Sequence, residues 1–231
     1  MAKTTTKDSP KRPISLTERA YIALREKVIT CELAPGSDVK EAELAEILQM
    51  GKTPVREAMG RLCLEGFMEA FPRKGYRVTP VTVKDVNDLF AVRSILESAA
   101  AGLAAKNLDD EQLARLHDLA QAKYVVGEDG SASGFVSSNL LFHTAIARGS
   151  NNTRLANLIL RHLEEGTRFL HLGIRARDVN LETNSDHQKI VDALQQKTPQ
   201  TAADEMAKHI ENTRVGLLQA LINEPKTNVT F

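Results

Sequence analysis

The stretch Glu43–Pro80, ELAEILQMGKTPVREAMGRLCLEGFMEAFPRKGYRVTP, constrains the chain more than any other. Its apolar residues recur first at helical spacing and then at strand spacing. Leu44, Ala45, Ile47 and Leu48 mark the apolar side of one short helix, and Gln49-Met50-Gly51-Lys52 supplies a turn. Thr53 has the chemistry of an N-cap, and Pro54 then falls at the first helical position, where its missing N–H leaves no bond unmade. Val55, Met59, Leu62 and Cys63 form the inner face of a second helix that stops near Gly66. Phe67–Phe71 and Tyr76–Thr79 read as strands paired across the basic turn Pro72-Arg73-Lys74-Gly75. Two helices joined by a tight turn and followed by a basic-tipped hairpin define a winged helix-turn-helix.

The charges fit a nucleic-acid reader of that shape. Lys52 and Arg56 lie four apart on one face of the second helix, away from Val55, Met59 and Leu62. Cations at a helix N-terminus oppose the macrodipole and are stabilised when an anion arrives, a role open to a phosphate or a guanine edge. Arg73, Lys74 and Arg77 cluster on the wing. A solvated helix face and an ordinary hairpin are the alternative. Residues 1–80 hold 14 Lys+Arg against 11 Asp+Glu, a net of +3, and the neutral total leaves the remainder 16 against 19, a net of −3. A basic front and an acidic back suit a DNA reader joined to a second module.

No apolar run reaches the length of a membrane span, and the polar start MAKTTTKDSPKRP lacks the apolar core of a signal peptide. Cys31 and Cys63 have no metal-type neighbours at short spacing and read as buried thiols in two helices. A cytoplasmic protein is expected.

In chain order, residues 1–13 are expected to be a disordered tail, residues 14–80 the winged domain, residues 81–222 a helical domain and residues 223–231 a frayed tail. Leu16–Thr30 is predicted as a first helix with Ala20, Leu24 and Val28 inward. Beyond Pro80 the pattern is helical throughout, with spans near Val83–Lys106, Asp109–Val126, Ser131–Arg148, Asn152–Gly173, Thr183–Gln196 and Pro199–Ile222. Short connections make an antiparallel bundle, so the fold class is mainly α.

Polar residues on inner faces single out a candidate site in that bundle. Asn139 and His143 share a stripe with Phe135, Phe142 and Ile146; His187 shares one with Ile190, Val191 and Leu194; His209 shares one with Met206, Thr213 and Leu217. Three helices thus turn an imidazole inward, and a divalent metal ion satisfies several imidazoles at once. Hydrogen-bonded core histidines are the competing arrangement. His117, His162 and His171 show no such pattern. In the first bundle helix Leu89, Val92, Leu96, Ala99 and Leu103 read as the inner stripe with Arg93 at its edge. Arg93 can reach a carboxylate in the bundle or form a surface pair with Glu97.

The chain resembles the GntR family of bacterial transcriptional regulators, in the subfamily with a FadR-type C-terminal (FCD) ligand-binding domain. The front half carries the resemblance in ELAEILQMGKTPVREAM, RLCLEGF and RKGYRV, and the back half in AVRSILESAAAGLAA, NLLFHTAIARGSNN, DHQKIVDAL and AADEMAKHI. It implies that Lys52, Thr53 and Arg56 touch DNA from the recognition helix, and that Lys74 and Gly75 form the wing tip at the minor groove. It implies Asn139, His143, His187 and His209 as ligands of a divalent ion, zinc first, with nickel or manganese as alternatives. It implies Arg93 as an anchor for a small carboxylate effector, a homodimer on a two-fold operator, repression in the effector's absence, and no catalysis. A metalloenzyme with an appended DNA-binding domain and a ligand-free DNA-binding dimer are the rivals. Three positions depart from the pattern. Gly51-Lys52 stands where Ser-Arg is common, so the bidentate guanine contact of arginine is not available from Lys52. Ala42 replaces an arginine found in some relatives. Asn139 stands where Asp is frequent, giving a neutral ligand.

Overall fold

The computed structural model describes residues 14–125, 131–176, 178–223 and 229–230. It divides into two units: residues up to Glu26 with Asp38–Val78, and Lys27–Ser37 with Thr79 onward.

Along the chain, α1 (Leu16–Ile29), of which the residues up to Glu26 belong to the first unit, leads through the Pro35-Gly36 turn to the rest of that unit: β1 (Asp38–Val39), α2 (Glu41–Ile47), α3 (Lys52–Leu64) and the hairpin β2 (Met68–Phe71) and β3 (Gly75–Val78). The strands form one antiparallel sheet in the order β1-β3-β2, with Met68 opposite Val78 and Phe71 opposite Gly75. Ala20, Leu24, Leu44, Val55, Ala58, Met59, Leu62 and Val78 are buried, so the helical spacing read from the sequence identifies the core of the winged unit. Three local expectations are corrected. Thr53 is not the N-cap of α3; Gly51, in an extended conformation, takes that position without a side-chain cap, and the helix starts at Lys52. β1 was not expected, because two residues carry no periodicity and the strand exists only through its pairing with β3. Cys31 lies in the turn after α1 with a positive φ, and Cys63, within α3, is only partly buried.

Gly75 has φ +102, and a Cβ there would lie 2.9 Å from the carbonyl oxygen of Val39. Only glycine allows β1 to approach the wing so closely. Gly75→Ala is expected to destabilise the winged unit by about 1–3 kcal/mol, read as a lower urea midpoint at unchanged slope.

The second unit contains α4 (Val83–Asn107), α5 (Asp110–Ala120), α6 (Ser131–Gly149), α7 (Thr153–Ala176), α8 (Asn180–Gln195) and α9 (Pro199–Asn223). These are the six helices expected, with α5 shorter and α8 starting earlier. Thr82 and Asp85 close a capping box at the start of α4, and Asp109 and Gln112 close one at α5. Helix α4 packs mainly on α9, and also on α6 and α7. Val81–Thr82 (β4) pairs in parallel with Val229–Thr230 (β5), so that part of the expected frayed tail is tied to the bundle entrance. The expected disordered tail, residues 1–13, lies outside the described residues.

The phase of α4 is the main correction. Its inner face runs through Val86, Phe90, Arg93, Glu97, Ala101 and Ala104, whereas Val92, Ala99 and Leu103 of the expected inner stripe are exposed. Apolar residues occur all round this helix, so periodicity alone does not choose its buried side. Packing chose the side bearing an arginine and a glutamate, because each satisfies the other.

Candidate nucleic-acid interface and metal centre

On the winged unit, burial of Val55, Ala58, Met59 and Leu62 turns Lys52, Thr53 and Arg56 to solvent on the opposite side of α3. With no side-chain cap and no acidic residue in the first turn, the leading N–H groups of α3 are open to an external acceptor. Arg56 is already engaged. Its Nε and a terminal nitrogen donate to both carboxylate oxygens of Glu41 on α2, at 2.8 and 2.9 Å. That fork on an exposed surface holds the guanidinium in one orientation. On the wing, Arg73 and Lys74 are exposed at the tip, Arg73 with a positive φ, while Arg77 is drawn back to Asp38 at 2.7 Å. Gly75 lies behind the tip and serves the approach of β1.

Within the bundle, His143 on α6, His187 on α8 and His209 on α9 converge as the sequence suggested. Their Nε2 atoms face one another, His187 to His209 at 3.3 Å and His209 to His143 at 3.3 Å, and all three rings are buried. The ring of His187 stacks on Phe142 with centroids 3.9 Å apart. Burial, then mutual repulsion with the other two rings, keeps His187 well below the usual imidazole range. Burial lowers His143 as well, although the Glu97 carboxylate pulls the other way.

Two carboxylates stand behind the rings. Oε2 of Glu97 lies 2.6 Å from Nδ1 of His143, and Oε1 of Glu97 accepts from Nε of Arg93 at 2.7 Å. Burial would raise the Glu97 carboxyl, but Arg93 and His143 outweigh it and hold it at about 2. Asp186 lies 3.8 Å from Nδ1 of His209 and accepts from the amide of Asn212 at 2.7 Å. His209, with help from Asn212 and Lys189, holds Asp186 below the usual carboxylate range.

The donor set fits a divalent ion. Glu97 fixes the proton of His143 on Nδ1, which leaves a lone pair on Nε2. Nδ1 of His209 has no hydrogen-bond partner but faces the Asp186 carboxylate, which favours a proton there and a second inward lone pair. With both lone pairs inward, the nitrogens of His143 and His209 at 3.3 Å repel unless a cation lies between them. The spacing also matches the edge of about 3.3 Å expected for imidazole nitrogens about 2.0–2.1 Å from a tetrahedral zinc. Asn139 lies one turn before His143 on α6 and, with His209, lines a cavity open to solvent. Asp186, Asn212 and Thr213 add polar lining, and Phe135, Ile174 and Leu217 add apolar lining.

Arg93 combines the two sequence readings, an inward arginine and a pair with Glu97. Its pair with Glu97 forms, but in the interior, with the two side chains 4% and 3% exposed, and not on the surface. Arg93 packs over the Phe90 ring and against Gly166, and the described cavity lining does not include it. Sequence reasoning missed the inward role of Glu97; its position four residues after an inward Arg93 was the available signal. His171 is buried, while His117 is exposed.

A winged helix-turn-helix followed by a helical bundle is the build of a DNA-binding transcriptional regulator. Residues 16–78 match the bacterial regulatory proteins of the gntR family, and residues 88–212 match the FCD domain. The chain belongs to this family: it is a DNA-binding transcriptional regulator and not an enzyme. It is 27% identical to the uncharacterized HTH-type regulator YdhC of Bacillus subtilis over 90% of this chain and 93% of that one. It is 30% identical to a probable D-xylose utilization operon transcriptional repressor of Paenarthrobacter nicotinovorans, covering 76% of each chain. The solved structure of Escherichia coli McbR/YncC superposes with a TM-score of 0.73 at 27% identity, covering 89% of this chain and 98% of that one. FCD domains are known to bind metals, and this one presents the three-histidine cluster described above. Among the described residues, no helix is long and apolar enough to cross a membrane.

Proposed function

We propose that this protein is a homodimeric cytoplasmic repressor whose affinity for a two-fold operator is set by a small organic acid bound beside a divalent ion in the bundle. The observation that carries the reading is the convergence of three buried Nε2 atoms at the edge of a cavity. His143, His187 and His209 would hold the ion, with Asn139 as the fourth ligand, and zinc is the first ion to test, with nickel and manganese beside it. A bound ion supplies a Lewis-acidic anchor for a carboxylate. Asn139 and His209 both line the cavity, so an acid placed there lies against the ligand set. The contribution of this chain is to fix the imidazoles, to exclude water beside them with Phe142, and to surround the acid with Asn212 and Thr213. The relative described as a probable xylose-operon repressor supports the sense of the response.

Dimerisation finds support on α4. Val92, Ile95 and Leu103 are 39%, 72% and 37% exposed along one side of it, and Leu158 on the adjoining α7 is 47% exposed. An apolar strip of this kind on a bundle surface suits a second copy of the same chain. DNA reading is carried by Lys52, Thr53 and Arg56 in the major groove and by Arg73 and Lys74 on the neighbouring backbone, with Gly75 shaping the wing. Two such units on one dimer must match half-sites about one helical turn apart, so a small shift of the bundle helices suffices to weaken the complex.

The test uses zinc-loaded protein on its operator fragment, followed by fluorescence anisotropy against a panel of short mono-, di- and hydroxycarboxylic acids. At least one acid is expected to weaken DNA binding by about tenfold or more. The same acid is expected to leave the DNA complex of His143→Ala unchanged. Equal release from His143→Ala would overturn the metal-anchored reading.

A further inference from the structure

Resting on the metal reading above, we infer that Arg93 and Glu97 are the positioning residues of the metal centre: Arg93 holds Glu97, Glu97 holds His143, and Arg93 is not an effector anchor. Three observations carry this. Glu97 spends one carboxylate oxygen on each neighbour, Oε1 on Arg93 at 2.7 Å and Oε2 on His143 at 2.6 Å, so it is shared and fully used. All three side chains are at most 4% exposed, which removes water as a competitor for any of these bonds. The guanidinium is confined by Phe90 and by Gly166, where a Cβ would come within 3.2 Å of it.

The consequence for His143 is chemical as well as geometric. A ring that donates from Nδ1 to a carboxylate must present the Nε2 lone pair, and it presents it in a fixed direction toward His209 and His187. Without Glu97 the ring is free to exchange tautomers and to rotate about its terminal torsion. Without Arg93 the carboxylate loses the bond that fixes Oε1, so it is free to rotate and no longer holds Oε2 on His143 in one direction. The ion-binding atoms of α6 are therefore set by two residues of α4 that touch no ion. Asp186 and Asn212 stand in the equivalent place behind His209, at the longer distance of 3.8 Å from its Nδ1, so the relay through Glu97 is the tighter of the two.

The test compares full-length wild-type protein with Glu97→Gln and with the double variant Arg93→Met/Glu97→Leu. The double variant replaces a buried ion pair by apolar side chains of similar size and guards against a Glu97→Gln protein that leaves Arg93 unpaired and fails to fold. Zinc affinity is measured by chelator competition, and the thermal midpoint of the metal-free protein is measured alongside. Both variants are expected to bind zinc about 10–100-fold more weakly than wild type. Nitrogen-15 spectra of histidine-labelled, zinc-loaded protein give a readout that packing alone would not move. In wild type they are expected to show His143 protonated on Nδ1, and in the folded variants a shifted or averaged pattern. A folded variant that keeps wild-type zinc affinity and the wild-type His143 tautomer overturns the relay alone. Failure of wild-type protein to bind zinc or nickel at all overturns the metal reading and the relay with it.

Discussion

Purified protein carrying His143→Ala together with His187→Ala is expected to hold no divalent ion after zinc loading and desalting, where wild-type protein holds about one per chain. The expected effect is large because the site is small. Structural zinc sites with four protein ligands are worth about 10–16 kcal/mol in apparent binding energy, and removing two of three imidazoles takes on the order of half of that. An affinity loss of about ten-thousandfold or more follows, beyond what excess zinc in a loading buffer restores. Elemental analysis checks it directly. Because His187 stacks on Phe142 in a buried position, the double substitution also leaves a cavity, so circular dichroism must accompany the metal count. A folded double variant that still carries a full complement of zinc would place the ion elsewhere. A proton competes for the same nitrogens. His143 and His187 have lowered affinities for a proton in the folded, metal-free protein, so protonation favours the unfolded chain. Their contribution to stability is present above the unfolded histidine value of about 6.5 and is lost as pH falls toward the folded values. Bound zinc is expected to move that loss to lower pH.

The winged unit was legible in the sequence because its signals are local. The periodicity of Val55, Met59 and Leu62 and the basic turn at Arg73-Lys74 each lie within a few residues of the structure they create. The three histidines were legible for a related reason, since each is placed by the phase of its own helix, and the three phases agree. Helix α4 resisted the same treatment. Val92, Ala99 and Leu103 made part of an apolar stripe at the correct spacing on the side that packing left outward, and the buried stripe runs instead through Arg93 and Glu97. A rule that sends charges outward fails when two opposite charges and a histidine satisfy one another, because only the assembled helices show that the partners exist. The same limit hid β1 and the fork between Glu41 and Arg56, whose partners lie 39 and 15 residues apart in sequence. The resemblance to the family named one set of four residues where spacing named only inward faces, and it also assigned an effector role to Arg93, which is absent from the described cavity lining.

Substituting Lys52, Arg73 and Lys74 by alanine is expected to flatten the salt dependence of operator binding, lowering the slope of log affinity against log salt by about 5. The number follows from six cations on a dimer, each releasing close to one condensed counterion from duplex DNA when it meets a phosphate. At the resulting slope, affinity measured in dilute salt falls by several orders of magnitude, whereas at high salt the two proteins converge. The three residues are suited to this role because all are exposed and none is drawn into an ion pair comparable to that between Arg56 and Glu41. Arg56 behaves differently for that reason. A phosphate or a base edge must first displace Glu41, so the charge exchanged on binding is smaller, and Arg56→Ala should change the salt slope less than it changes the preference among operator sequences. Anisotropy titrations of matched and scrambled operator DNA across a range of salt concentrations separate the two behaviours. A triple variant with the wild-type slope would remove the start of α3 and the wing tip from the DNA interface, and would move the search to other cations of the winged unit such as Lys40 and Arg61.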